Sequence, residues 1–326
     1  MKRIPVLVAA WGLLAWCGGT AIAADEAPTH KEVESIGTSG AGKVGTLTTL
    51  CVAPGDRLLA CDAASSEVKV FDIQGALKAT WKLPFAAWSI CPVADGAIYV
   101  GGDGKLARLD KDGKVLKAVE VDGALIGADG TGQNRFPGGR PPVGRASGMA
   151  VTDQDVFVSF GSGWSMRAKA VIVRFDRDLT AATKIADGLN GCCQRLDLVA
   201  KDGWLYVAEN ARHRVLKMDR DGKVLASWGK RARTELEGFG SCCNPMNLWF
   251  GADGMLYTAE SGLGRVKRYT PDGKLLSFVG EVGVTRFERA GGLAASCSNV
   301  AVAASADGGR VFVQDVKTNG IRVLAK

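Results

Sequence analysis

Histidine and several enzyme motifs are scarce or absent in this chain. Its 326 residues include two histidines, His30 and His213, which are too few for a metal centre built from several imidazoles. The sequence has no Cys-x-x-Cys-His segment for covalent haem, no Gly-x-Ser-x-Gly hydrolase turn and no phosphate-binding P-loop. These absences favour a binding function over catalysis.

Long apolar runs are also absent, apart from one at the N-terminus. Two basic residues precede an apolar run over residues 4–15, and small residues then lead to residues 21–23. The run is shorter than the ~20 residues that cross a bilayer, which favours a cleaved signal peptide over a membrane anchor. We predict a signal peptide over residues 1–23, a mature domain over residues 24–326 with no membrane span, and a periplasmic or secreted location.

The chain lacks a strong excess of one charge. It has 41 basic and 34 acidic side chains, a formal net charge of +7, and the two signs are interspersed along the sequence. Proteins that bind nucleic acid usually carry a clustered basic stripe with stacking aromatic residues. The sequence therefore argues against a nucleic-acid partner.

A repeated pattern is present in place of helical periodicity. Residues 196–229 and 246–280 align with each other, and residues 90–116 align with them more weakly. Each unit alternates apolar and polar residues with period two, and Asp-Gly pairs separate the runs, as in β-hairpins. The pattern predicts four short strands, a to d, in each unit.

More degenerate units bring the total to six, at about 50 residues each. The last unit, residues 300–324, ends after its third strand, whereas residues 32–37 resemble the fourth strand at residues 224–229. We therefore predict an all-β fold, a six-bladed β-propeller of four-stranded blades in which an N-terminal strand closes the last blade. Two all-β domains and a seven-bladed ring are the alternatives.

The units resemble NHL repeats. The resemblance rests on residues 244–260, Asn-Pro-Met-Asn-Leu-Trp-Phe-Gly-Ala-Asp-Gly-Met-Leu-Tyr-Thr-Ala-Glu, and on the Arg-Val-Lys-Arg-Tyr and Pro-Asp-Gly-Lys segments that follow. It implies a propeller of NHL-like blades and leaves the function open, because such propellers include scaffolds, RNA binders, lyases and lactonase relatives. The amidating lyases among them use several histidines around zinc, which this chain does not have.

Loop lengths distinguish the two faces of the predicted propeller. The a–b and c–d connections are mostly tight turns, whereas the b–c and d–a connections on the opposite face are long. Long loops on a rigid scaffold commonly carry binding residues. One set of residues in these loops forms a candidate rim for an anionic ligand, with the histidine expected on the surface: Arg135, Arg140, Arg145, Arg231, Arg233 and His213.

Two cysteine pairs precede strand a in adjacent units. Cys192-Cys193 and Cys242-Cys243 occupy equivalent places and are expected at the mouth of the central channel, with Cys297 in a comparable region of the last unit. Three chemistries are open: strained vicinal disulfides, disulfides across the blades such as Cys193 with Cys243, and a thiolate site for copper, zinc or an iron–sulfur cluster.

The sequence therefore predicts an exported binding or scaffold protein that holds a protein partner or an anionic small ligand on its long-loop face. A metal-binding or redox-active site made of the four paired cysteines is the alternative. A lactonase- or lyase-type enzyme is the third hypothesis, and no catalytic residue is assigned. Three further cysteines, Cys51, Cys61 and Cys91, are expected as small core residues.

Overall fold

In a computed structural model, the chain forms six four-stranded antiparallel sheets arranged as a six-bladed β-propeller, as predicted. The structure describes residues 27–126, 144–161, 169–192, 195–232, 234–241, 243–283 and 300–326. The predicted signal peptide lies outside the described residues. Within those ranges, no helix has the length and apolar composition that a membrane crossing requires.

The first strands of neighbouring blades contact one another around the centre, and later strands lie progressively outwards. Blades 1 to 3 are built from β2 (Leu47–Ala53), β3 (Arg57–Asp62), β4 (Glu67–Asp72) and β5 (Leu77–Lys82); β6 (Ser89–Pro92), β7 (Ile98–Gly101), β8 (Lys105–Leu109) and β9 (Val115–Glu120); β10 (Arg145–Val151), β11 (Asp155–Gly161), β12 (Lys169–Asp176) and β13 (Ala182–Asn190).

Blades 4 and 5 follow the same order, and blade 6 takes its outer strand from the start of the chain. Their strands are β14 (Leu198–Lys201), β15 (Trp204–Glu209), β16 (Arg214–Met218) and β17 (Val224–Trp228); β18 (Asn247–Phe250), β19 (Leu256–Glu260), β20 (Arg265–Tyr269) and β21 (Leu275–Glu281); β22 (Val302–Ala304), β23 (Arg310–Asp315), β24 (Gly320–Ala325) and β1 (Lys31–Ile36). Two 3-10 turns accompany these strands, Gly40–Gly42 and Asn210–Arg212.

The N-terminal strand closes the ring. β1 pairs antiparallel with β24 along its whole length, and ion pairs join Glu32 to Arg322 at 2.9 Å and Glu34 to Arg310. Ile36 at the end of β1 is buried against blade 1. The prediction that an N-terminal strand completes the last blade is therefore confirmed.

Inner strands are apolar along their length because a neighbouring blade covers each of their two faces. Every residue of β11 is buried: Val158 and Phe160 pack toward blade 2, and Phe157 packs toward blade 4. Each buried aromatic side chain of this kind stabilises the fold by about 1.5–3 kcal/mol. The outer strand β17, which has no blade beyond it, is largely exposed.

Two Asp-Gly turns pack closely against the outer strand of the preceding blade. Gly113 has a φ of 84°, and a Cβ there would lie 2.1 Å from the indole of Trp81. Gly273 has a φ of 92°, and a Cβ there would lie 2.3 Å from the indole of Trp228. Glycine is needed at both turns for the left-handed backbone and for the close approach of the ring.

Hydrogen bonds from side chains join the blades near the centre. The hydroxyl of Thr48 donates to the carbonyl of Ala87 at 2.6 Å, which links blade 1 to blade 2. The amide of Gln314 donates to the carbonyl of Leu47 at 2.6 Å, which links blade 6 back to blade 1. Together with the backbone bridge between Asp103 and Arg145, which links blades 2 and 3, such bonds fix the relative rotation of the blades.

Candidate functional site

The first strands of the blades surround a central cavity of about 220 Å³. Trp249 of β18 packs against the core clusters of three blade interfaces, two of which do not involve its own blade, so its indole extends across the channel. The polar part of the cavity lies nearer the starts of the first strands, on the side of the long d–a loops. The polar side chains there are Thr49, Ser89, Ser147, Asp197 and Asn247.

Asp197 carries the only carboxylate among the described residues that line this cavity. It is 9% exposed, and one of its oxygens, Oδ2, accepts hydrogen bonds from Asn247 Nδ2 and from the backbone N–H of Leu248, both at 2.7 Å. Burial raises the pKa of this carboxyl to about 7, while the N–H donors and the more distant Arg195 lower it. Asp197 therefore changes protonation near neutral pH.

Two neighbours complete the polar wall around Asp197. Asn247 accepts a hydrogen bond from the backbone N–H of Val302 at 2.8 Å, which fixes the orientation of its amide toward Asp197. Ser89 is 4% exposed, and its hydroxyl makes no hydrogen bond within the described part of the chain. A buried hydroxyl without a partner is uncommon, and here it borders a cavity that a polar ligand can enter.

Two arginines lie over one aromatic side chain at the long-loop end of the first strands, which we call the channel mouth. The guanidinium carbon of Arg145 lies 3.6 Å from the ring centroid of Trp88, and that of Arg195 lies 6.0 Å from the same centroid. Asp103 accepts a hydrogen bond from Arg145 at 3.1 Å and balances one of the two positive charges. All three side chains come from positions just before or at the start of a first strand, so they gather at one end of the channel.

Hydrogen bonds to Cys192 and Asn210 set the position of the Arg195 backbone. The backbone N–H of Arg195 donates to the carbonyl of Cys192 at 3.1 Å. Asn210, which is fully buried, accepts from the N–H of Cys192 at 2.7 Å and donates to the carbonyl of Arg195 at 2.9 Å. The amide side chain thus holds Cys192 and Arg195 together, just before Asp197.

A disulfide joins this turn to the next blade. Cys192 and Cys243 are bonded, with 6.1 Å between their Cα atoms, and both are buried beside Met246. The hypothesis of a disulfide across the blades is confirmed, with Cys192 in place of Cys193 as the partner. Since Cys193, Cys242 and Cys297 lie outside the described residues, the soft-metal or redox site of paired cysteines stays a prediction. Cys51 and Cys61 are buried in the core, as expected, and Cys91 is half-buried.

Of the predicted rim residues that the structure describes, Arg145 lies at the channel mouth. Arg231 is exposed on the loop after β17. The expectation of a surface His213 is wrong: it is 6% exposed and its Nε2 lies 3.4 Å from the carbonyl of Ser241, so the loop before blade 5 covers it. The other predicted members of the rim, Arg135, Arg140 and Arg233, lie outside the described residues.

Sequence reasoning missed Asp197, Asn247, Trp88 and Arg195. A signal for the first two was present, because Leu196-Asp197-Leu198 and Met246-Asn247-Leu248 place a polar residue at the same point of two apolar strands. A polar residue at a buried, repeated position is a reason to expect a site. Trp88 and Arg195 carried no such signal, since their proximity depends on three separate blades.

The raised pKa of Asp197 gives a testable effect on stability. A carboxyl whose folded pKa exceeds its unfolded value stabilises the protein below about pH 4, and that contribution is lost as the pH rises toward 7. Asp197→Asn keeps an oxygen for both N–H donors without the buried charge. We expect the free energy of unfolding of the variant, measured with urea, to rise relative to that of the wild type by about 1–3 kcal/mol between pH 5 and pH 8. A difference that does not change with pH would contradict this assignment.

Comparisons with known proteins agree with the fold. The chain matches the SMP-30/gluconolactonase/LRE-like region over residues 48–287. This is a propeller family other than the NHL repeats that the sequence resembles. No curated protein sequence shows a significant match.

Three solved structures illustrate the shared architecture, each at 13% identity. A protein of unknown function from Bacteroides thetaiotaomicron has a TM-score of 0.60, over 92% of this chain and 72% of that chain. The calcium-binding protein regucalcin from Agrobacterium tumefaciens has a TM-score of 0.58, over 90% and 93%. A streptogramin B lyase has a TM-score of 0.54, over 89% and 96%. At this identity the likeness concerns the fold alone.

Proposed function

The chain belongs to the SMP-30/gluconolactonase/LRE-like family, and from that premise we propose that its central channel binds a small anionic molecule at the long-loop end. The observation that carries the proposal is that Arg145 and Arg195 both lie within 6.0 Å of one indole ring, Trp88, at the channel mouth. Asp103 pairs with the guanidinium of Arg145.

The mouth has the chemistry of an anion site. A guanidinium presents a planar fork of N–H donors that matches a carboxylate or phosphate, and stacking on an aromatic face holds that fork in one orientation. Arg145 is stacked directly on Trp88. A small ligand is favoured over a protein partner because the polar groups converge inside a cavity of about 220 Å³.

The described residues do not fit the calcium site that the name of regucalcin suggests. Calcium takes six to eight oxygen ligands, several of them from carboxylates. Among the described cavity residues there is one carboxylate, Asp197. Over the same described ranges, no three histidine, cysteine, aspartate or glutamate side chains are grouped to hold a metal ion. The proposed binding therefore relies on the side chains alone.

Hydrolysis of a lactone is a second candidate, which the family's name suggests. It is favoured by the Asp197 carboxyl, whose pKa of about 7 suits a general base at neutral pH. Acid release from a small lactone at constant pH, lost in Asp197→Asn, would distinguish catalysis from binding alone.

Calorimetric titration of the purified chain with acetate, butyrate and inorganic phosphate tests the anion site. We expect at least one of these probes to bind, and Arg195→Gln to weaken that binding on the order of tenfold, because a charge-assisted hydrogen bond is lost. Arg57→Gln is the matched control, since Arg57 also lies over an indole, 6.0 Å from the ring centroid of Trp81, but in blade 1 away from the channel mouth. Equal losses in both variants, or no binding of any probe, would refute the proposal.

A further inference from the structure

The channel carries opposite charges at two depths. Arg145 and Arg195 stand at the mouth, while Asp197 lies two residues further along the chain inside the cavity. Within the described residues, no lysine or arginine lies within ion-pair distance of the Asp197 carboxylate. Its hydrogen-bond donors, the Asn247 amide and the Leu248 backbone, are neutral.

A buried carboxylate with neutral partners is costly to keep in an unliganded protein. Glu209 and Asp155, which are as deeply buried, have arginine partners, Arg214 and Arg220, each at 2.6 Å. Asp62 instead has both carboxylate oxygens held by backbone N–H groups, those of residues 45, 46 and 64. Asp197 has neither an arginine partner nor a set of backbone donors on both oxygens among the described residues: its two hydrogen bonds are both on Oδ2, and the residue borders the central cavity. A cationic group on a ligand would supply the missing partner.

Resting on the proposed anion site, we propose that the channel takes a small zwitterion, an aminocarboxylate whose carboxylate binds Arg145 and Arg195 and whose ammonium group binds Asp197. Arg195 and Asp197 are two residues apart, so their Cα atoms are at most about 7 Å from each other. We therefore propose a short aminocarboxylate. The Ser89 hydroxyl, which lacks a partner within the described ranges, offers an acceptor for a second ammonium N–H.

The surroundings of Asp197 make the proposal sensitive to pH. Arg195, on the same segment, stays charged; Cys91 on β6 stays neutral, because burial raises the pKa of its thiol to about 12. From β10 and β18 come the neutral groups of Ser147 and Asn247. Among these described neighbours, Asp197 is therefore the group that changes charge around neutrality.

Ionised Asp197 attracts an ammonium group and repels a simple anion. Raising the pH from 6 to 8 should therefore tighten the binding of an aminocarboxylate and weaken that of the matching carboxylate. This opposite pH dependence is not expected of a plain anion site, where both ligands would follow the same trend.

Calorimetry on the purified chain at pH 6 and pH 8 tests the proposal with matched pairs: glycine with acetate, β-alanine with propionate, and 4-aminobutyrate with butyrate. We expect one aminocarboxylate to bind at least tenfold more tightly than its partner at pH 8. Asp197→Asn should remove that preference while leaving carboxylate binding. Asp178→Asn, which alters an exposed carboxylate paired with Arg108, is the control and should change neither ligand.

The outcomes separate the two proposals. If carboxylates bind as tightly as aminocarboxylates at both pH values, the zwitterion proposal fails and the anion site stands. If no ligand of either kind binds, both proposals fail. Should Asp197→Asn not fold, the opposite pH trends of the wild-type protein decide the matter, and parallel trends would overturn the zwitterion.

Discussion

Replacing Glu260 by glutamine is expected to destabilise the propeller by about 3–5 kcal/mol. Glu260 is completely buried and lies 2.8 Å from the guanidinium of Arg265 and 2.8 Å from the ammonium group of Lys267, which is itself buried. It also accepts a hydrogen bond from the backbone N–H of Gly240 at 2.6 Å. Glutamine preserves the shape but leaves two buried cations without a counter-charge.

The cost should be large because Lys267 is already disfavoured in its charged form. Burial lowers the pKa of Lys267 to about 8 even though Glu260 stands beside it and raises it. The same ammonium group donates to the carbonyls of Leu236 at 2.7 Å and Gly238 at 2.6 Å. Loss of Glu260 therefore also loosens the loop between blades 4 and 5, which leads to the disulfide at Cys243.

Urea unfolding of the variant against wild type measures the effect. Glu120→Gln is the matched control, because its carboxylate is exposed and its contact with Lys105 is 3.4 Å long. Surface pairs of that kind contribute about 0–1 kcal/mol. Comparable losses in the two variants would contradict the assignment of Glu260 as a buried counter-ion.

The architecture could be predicted from the sequence because its signals are local. An Asp-Gly pair specifies a hairpin turn on its own, and Gly113 and Gly273 stand at the turns where the packing also demands glycine. The incomplete last unit and the strand-like segment before it were sufficient to predict the pairing of β1 with β24. Both inferences needed only residues near each other in sequence or in the repeat.

The candidate site could be predicted in part. Equivalent placement of the cysteine pairs led to the bridge between blades. The bonded residue of the first pair is Cys192, whose backbone N–H donates to Asn210. The placement of Arg145 and Arg195 over Trp88 depends on blades 2, 3 and 4, and no repeat rule brings these three side chains together. The prediction for His213 failed because its loop is covered by another loop that is distant in sequence.

Replacing β1 (Lys31–Ile36) by a Gly-Ser segment of equal length is expected to cost more than about 5 kcal/mol, the largest effect among these variants. The change removes a full antiparallel ladder with β24, the ion pairs of Glu32 and Glu34, and the burial of Ile36. Net contributions of about 0.5–1.5 kcal/mol for each of several hydrogen bonds and about 1.5–3 kcal/mol for Ile36 give that total. Since domains are stable by about 5–15 kcal/mol, much of the protein should unfold at ordinary temperature.

Two comparisons show whether closure of the ring, and not the mere loss of a strand, causes the effect. The same replacement in β9 (Val115–Glu120), the outer strand of blade 2, removes a strand of equal length while the chain termini stay joined through β1. We expect that variant to be less destabilised and to unfold in one transition. A synthetic peptide of residues 27–38 added in trans should restore the β1 variant, because it supplies the missing edge of β24. Equal destabilisation of the two variants, with no rescue by the peptide, would show that β1 contributes only as one outer strand among six.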